Sequence, residues 1–220
     1  VSSARVAIVI SAVFTVFACV ERNARADDQT WNAVPARVGF QLALRTGFSA
    51  PLGSIGNGTK LARTFGDEVP LVLEVGAKIQ RHIFVGGSFG FGVGGCNETP
   101  ECTALTARLG PEIIVDVLPS SKVDPWIGYG IGFEYAQASS NPSATYRGWE
   151  LGHFMAGVDF RFSEVFGVGP FADLSLAEFT HGSIDVADVT GGGGAIAQDV
   201  GLDHSLHEWL TLGVRFVIFP

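Results

Sequence analysis

From Ile127 to Ala136 the chain alternates between bulk and near absence of side chain. Ile127, Tyr129, Ile131, Phe133 and Tyr135 take the odd positions, and Gly128, Gly130, Gly132, Glu134 and Ala136 the even ones. A repeat of two is the signature of an extended strand, whose successive side chains point to opposite faces. The distribution of bulk is inverted relative to a soluble sheet, because a packed interior cannot be made from glycine and a carboxylate. A strand of this kind turns its greasy face to lipid and its small, polar face inward.

The pattern recurs along the chain. Val38, Phe40, Leu42 and Leu44 alternate with Gly39, Gln41, Ala43 and Arg45, and the gly-, ser- and pro-rich stretch Ser49–Glu68 then reads as a long loop. A second strand carries Leu71, Leu73 and Val75, and a third carries Val85, Phe89, Phe91 and Val93. A fourth runs over Thr103–Leu118, the opening stretch is the fifth, and a sixth covers Arg147–Phe162. In the sixth, Trp149 and Leu151 disagree in phase with Phe154, Phe160 and Phe162, which calls for a bulge near Gly152-His153. A seventh strand contains Val168, Ala172 and Leu174, and the last spans about Leu206 to Phe219. The loop Gln137–Thr145 and the segment Glu178–His204, with glycines at 191–194, read as irregular. Short turns follow strands two, four and six, and longer loops follow one, three, five and seven. The expected fold is therefore all-β: an eight-stranded antiparallel up-and-down transmembrane β-barrel, both termini at the short-turn end. A soluble sandwich or lipocalin-like barrel is the competing fold, and it has no need for that loop asymmetry.

Residues 1–26 read as a signal peptide, with Arg5 before the apolar run Val6–Val20 and Ala24-Arg25-Ala26 as the cleavage pattern. The competing reading is a lipoprotein signal ending at Cys19. Residues 27–36 then form a periplasmic lead-in and 37–220 the barrel domain. Cleavage after Ala26 removes three arginines and one glutamate, taking the formal charge from −8 to −10, so nucleic acid is not an expected partner. Cleavage also leaves two cysteines, Cys96 and Cys102, and their spacing in an exported chain points to a disulfide closing a small loop.

Eight strands enclose a lumen that side chains fill. By parity the inward acids are Glu74, Glu112, Asp116, Glu134, Asp159 and Asp173, and the inward bases are Arg45, Lys78, Arg108, Arg161 and Arg215. That near balance is expected of a paired network. If Leu118 pairs with Asp124 across the turn, Arg108 falls opposite Glu134 and Glu112 opposite Gly130. Tyr135, Tyr146, Trp149 and Trp209 toward the long-loop end, with Phe160 and Phe162 toward the short-turn end, are candidate interfacial aromatics. Trp126 has inward parity.

Three lines of chemistry are weaker. His181-Gly182-Ser183 superficially resembles the His-x-Ser arrangement of barrel lipid A deacylases, without an acid partner at strand spacing. Asp203, His204 and His207 could hold a metal, but a solvated loop accounts for them better. No phosphate-cradling loop is present, and no cofactor is expected.

The chain from about Val38 to Phe219 resembles the small eight-stranded outer-membrane barrel superfamily, which includes the transmembrane domain of outer-membrane protein A and outer-membrane protein W. Pro125-Trp126-Ile127-Gly128-Tyr129-Gly130-Ile131-Gly132, Gly157-Val158-Asp159-Phe160-Arg161-Phe162 and Leu212-Gly213-Val214-Arg215-Phe216 carry the likeness. It implies a bacterial outer-membrane location, contact with outer-membrane lipid and with the assembly machinery, and a non-enzymatic structural or surface-binding role through the loops. The extracellular ligand is unknown. Likeness to outer-membrane protein W implies, as the alternative, a narrow pore or transporter for small hydrophobic molecules, and a lipid-modifying barrel enzyme is a third. One departure is that Ile218 holds the outward phase where such barrels end on an aromatic.

Overall fold

A computed structural model describes residues 37–56, 58–97, 101–140, 142–187 and 195–220. The signal peptide and the lead-in expected over residues 1–36 lie outside the described residues, as does the glycine run at 191–194.

The strands are β1 (Gly39–Gly56), β2 (Thr59–Lys60), β3 (Glu68–Gln80), β4 (Ile83–Gly95), β5 (Thr103–Asp116), β6 (Val123–Ser139), β7 (Ser143–Arg161), β8 (Phe166–Ala187), β9 (Ala195–Val200) and β10 (Leu206–Ile218). A one-turn helix, α1 (Leu61–Thr64), follows β2. Each long strand pairs antiparallel with its neighbours in sequence, and β10 pairs with both β8 and β1, closing a ring of eight. Closure leaves no unpaired edge around the wall, which is what allows a sheet to stand in hydrocarbon.

The two faces of the wall follow the alternation. Ile127, Tyr129, Ile131 and Phe133 are exposed on the outside, as are Leu71, Leu73 and Val75 on β3 and Leu212, Val214, Phe216 and Ile218 on β10. An apolar surface running round the whole circumference has no place in water and marks the barrel as transmembrane. Inside, charged and aromatic side chains are buried together. β7 and β8 are 19 and 22 residues long, well beyond the ~9–11 that cross a bilayer, so they stand out of the membrane at the loop end.

Three stretches are more regular than composition foretells. β1 runs on to Gly56 inside the expected loop Ser49–Glu68, because β10 continues to pair with it as far as Gly53 opposite His207. β3 has by then ended at Glu68 opposite Ser49, so Pro51 sits where β1 has only one neighbour in the ring, a place in a sheet that tolerates proline. β6 and β7 likewise shorten the expected loop Gln137–Thr145. β8 continues to Ala187 and pairs with β9, so the segment after Glu178 is a β-ribbon over these residues.

The phase conflict in β7 resolves as a bulge. Gly132 pairs with Glu150 and Gly130 with His153, and on the other side Glu150 pairs with Ala177 and Gly152 with Leu176. The extra residue lets Trp149, Leu151 and Phe154 all face outward while Glu150 and His153 are buried.

Candidate functional site: the lumen

The β5–β6 register pairs Arg108 with Glu134 and Glu112 with Gly130, as drawn from the sequence, and the Leu118 N–H donates to the Asp124 carboxylate at 3.0 Å across the turn. The inward face of β6 thus opens with Asp124 and Trp126, runs through three glycines to Glu134, and ends with Ala136 and Ala138. Long charged side chains from other strands enter the space above those glycines. A methyl group on Gly130 would collide with the imidazole of His153.

The charges are stacked along the axis. Toward the short turns, Lys78 pairs with Asp116, and Arg161 Nη2 lies 3.2 Å from Asp124 Oδ2. The Phe219 ring underlies both cations, 3.8 Å from the Arg161 guanidinium carbon and 5.2 Å from Lys78 Nζ. At mid-height Arg215 bridges Glu74 (2.7 Å) and Asp159 (2.6 Å), with its guanidinium over the Trp126 ring at 4.7 Å. Arg45 reaches Glu74 (2.5 Å), Asp173 (2.9 Å) and Glu112 (3.3 Å). His153 Nδ1 is 2.9 Å from Glu150 Oε2, whose other oxygen accepts from Ser175 Oγ at 2.5 Å. Its Nε2 faces Glu112 at 3.8 Å. Nearer the loops, Arg108 lies 3.3 Å from Glu134 and 3.8 Å from Glu68, and His207 Nε2 is 2.8 Å from Glu134 Oε2. Thr106 Oγ1 donates to Glu68 at 2.8 Å.

All eleven charged residues assigned inward by parity face the lumen. Sequence reasoning left out Glu68, Asp124, Glu150, His153 and His207. Glu150 was signalled by its own neighbours, since Trp149 and Leu151 on either side face lipid. Asp124 shares the parity of Trp126, and His207 that of Arg215. Glu68 fell in the expected loop and carried no periodic signal. With these included, nine carboxylates meet five lysines or arginines and two histidines among the described residues. A cavity of about 40 Å³ lies among the polar side chains of Arg45, Glu68, Arg108, Glu150, His153 and Asp173 and the apolar ones of Pro70, Val72 and Phe91, room for about three waters.

The loop end is closed by apolar packing. Leu61 and Phe65, at α1 and just after it, are buried against Tyr146, Phe179, Trp209 and Ile55. Phe65 meets the rings of Tyr146 and Trp209 edge-on, with centroids 5.9 and 6.3 Å apart. Tyr146 and Trp209, expected at the membrane interface, therefore point inward, at 9% and 0% exposure. Trp209 sits under the Arg108 guanidinium at 5.0 Å. Aromatic identity near a strand end suggested a girdle, whereas their parity, shared with Gly148 and Arg215, put them in the lumen. Trp149, Phe160 and Phe162 are exposed on the outer face, and Tyr135 is half-buried there with Arg147 over its ring at 5.8 Å.

Cys96 and Cys102 are disulfide-bonded, with a Cα–Cα distance of 5.4 Å. His181 is exposed and bonded through Nδ1 to Thr180 Oγ1 at 3.0 Å, while the two acids nearest it along the strand are engaged elsewhere, Glu178 with His204 and Asp185 as acceptor from Ser143 at 2.8 Å. Asp203, His204 and His207 do not converge, because His204 pairs with Glu178 and His207 with Glu134 inside the barrel.

No protein-family model and no curated protein matches the chain. Among solved structures it is similar to small outer-membrane barrels. Neisserial surface protein A shares 13% identity, with 81% of this chain and 97% of that one covered and a TM-score of 0.48. Outer membrane protein OprG from Pseudomonas aeruginosa shares 12%, over 86% and 98% of the two chains, with a TM-score of 0.48. Outer membrane protein AlkL shares 11%, over 89% and 97%, with a TM-score of 0.47.

Proposed function

We propose that this chain is a non-conducting, non-enzymatic barrel of the bacterial outer membrane, exported through a cleaved signal peptide over residues 1–26, with a structural or surface-binding role carried by its loops. The observation that carries this reading is the filled lumen. Ion pairs succeed one another from Lys78–Asp116 to Arg108–Glu134, and α1 covers the loop end. A hydrated ion needs a continuous wet path, and a cavity of about 40 Å³ bounded by paired charges does not supply one. Tyr135, Trp149, Phe160 and Phe162 serve as interfacial anchors in this reading, and outer-membrane lipid and the assembly machinery are its partners. The test is conductance of the purified, full-length protein in planar bilayers. A folded barrel that gives no steps is expected, and reproducible ohmic steps from heat-modifiable protein would overturn the proposal.

A second reading, passage of small hydrophobic molecules through the wall, is favoured by one observation. The β5–β6 ladder is interrupted at Gly110-Pro111, where proline lacks the donor, next to the bulge at Leu151. An apolar recess of about 360 Å³ opens there between Leu109, Pro111, Ile131, Phe133, Trp149 and Leu151. Uptake of a small apolar dye into vesicles, abolished by filling the recess with Leu151→Trp, would favour this reading. Uptake equal to protein-free vesicles would remove it.

A further inference from the structure

The apolar segment that closes the loop end has little regular structure of its own and depends on packing and tethers. α1 is a single turn of four residues, its N-cap Lys60 makes no side-chain capping bond, and a helix of that length does not persist alone in water. One backbone bond, Phe65 N–H to Leu61 O at 2.9 Å, completes the turn. Just upstream, Gly56 and Gly58 take left-handed φ values of 115° and 75°, so the chain enters the segment through positions only glycine adopts without strain. Tethers come from the end of β4 and the residues just after it. Asn97 Nδ2 donates to the carbonyls of Ala62 (2.6 Å) and Phe65 (3.4 Å), and the Gly66 N–H donates to Gly95 O at 2.8 Å. Gly95 and Asn97 flank Cys96: Gly95 is held by its pairing with Thr103, and Asn97 lies beyond that pairing, next to the cysteine that the disulfide to Cys102 fixes at the head of β5. Cys102 is itself buried in the aromatic cluster that the segment covers.

We infer that the Cys96–Cys102 disulfide is a latch: by fixing Asn97, just beyond the paired end of β4 at Gly95, it holds the plug Leu61–Phe65 in the mouth of the barrel, and breaking it lets the plug leave and uncovers the cup of Tyr146, Phe179 and Trp209. This goes beyond the proposed function, since a non-conducting barrel needs no releasable cover. Release is a two-electron reduction. The S–S bond breaks, each sulfur gains an electron and a proton, and a thiol or phosphine reductant is oxidised in turn.

The plug contains its own reporter. The side chains of Lys60 and Arg63 are exposed, but the bonds after them run through the buried Leu61 and the turn of α1, which trypsin cannot engage until the segment opens, so cleavage there measures how often it does so. The full-length protein in detergent is digested with and without a phosphine reductant, alongside a Cys96→Ser/Cys102→Ser variant and Asn97→Ala. Loss of the tethering hydrogen bonds predicts about tenfold faster cleavage after Lys60 or Arg63 in the reduced protein and the double variant. Asn97→Ala, which keeps the disulfide, gives a smaller rise. Cleavage after Lys122, in the exposed turn at the opposite end, stays constant. An unchanged plug rate on reduction overturns the latch, and so does an equal rise at Lys122, which would mean general loosening.

Discussion

Arg215 is the most demanding single residue in the lumen. Its guanidinium is buried, donates to Glu74 at 2.7 and 3.1 Å and to Asp159 at 2.6 Å, and lies over Trp126. Replacing it with methionine keeps much of the volume and removes the charge. Glu74 retains Arg45 at 2.5 Å, so the damage falls on Asp159, a 1%-exposed carboxylate left without a cation. Breaking a buried pair by removing one partner costs about 3–5 kcal/mol, a large part of the ~5–15 kcal/mol that stabilises an ordinary domain. If the cost is an orphaned charge rather than lost packing, neutralising the orphan restores it. Asp159→Asn combined with Arg215→Met is therefore expected to recover at least about 2 kcal/mol over Arg215→Met alone. Urea unfolding in lipid vesicles followed by circular dichroism measures both. The reasoning fails if Arg215→Met costs less than about 1 kcal/mol, or if the double variant is no more stable than the single one.

Other perturbations read different parts of the wall. Ile131→Arg, on the outer face near the middle of β6, is expected to cost about 2–4 kcal/mol in vesicle unfolding, whereas Phe162→Arg at the short-turn end costs about 0–1 kcal/mol. Gly130→Ala forces a methyl group onto His153 and should destabilise by about 1–3 kcal/mol, while Gly95→Ala, with nothing within 4 Å of the new carbon, is near neutral in the same assay. In variants keeping one tryptophan, lipids brominated on their chains should quench Trp149 and leave Trp209 and Trp126 untouched. Quenching of Trp209 would contradict its place under Arg108.

Much of this was legible because the wall is one strand thick. Parity assigned most strand side chains to lipid or lumen, and the pairing of Arg108 with Glu134 followed from a turn register and a count of residues. Parity also held the answer for Tyr146 and Trp209, but the habit of placing aromatics at interfaces overrode it. What lay outside sequence logic were contacts between distant loops. Leu61 and Phe65 sit in a stretch whose glycine, serine and asparagine read as solvent-exposed, and their burial depends on Asn97, thirty-odd residues away, and on rings from β7, β8 and β10. Likewise β1 outlasts its composition because β10 is there to pair with it.

The bulge at Leu151 also bears on how the barrel is put together. A strand with unbroken alternation can slide against its neighbour in steps of two and still keep its polar residues inward. β7 cannot, because its inward set changes parity at one point, and that point must meet Gly130 and Gly132 on one side and Leu176 and Ala177 on the other. Sliding β7 in either direction would carry Glu150 or His153 into hydrocarbon, at several kcal/mol each by the usual order of such penalties. The bulge therefore works as a key cut into the strand, admitting one alignment of β6, β7 and β8 during insertion and rejecting the near misses that a smoother sequence would allow.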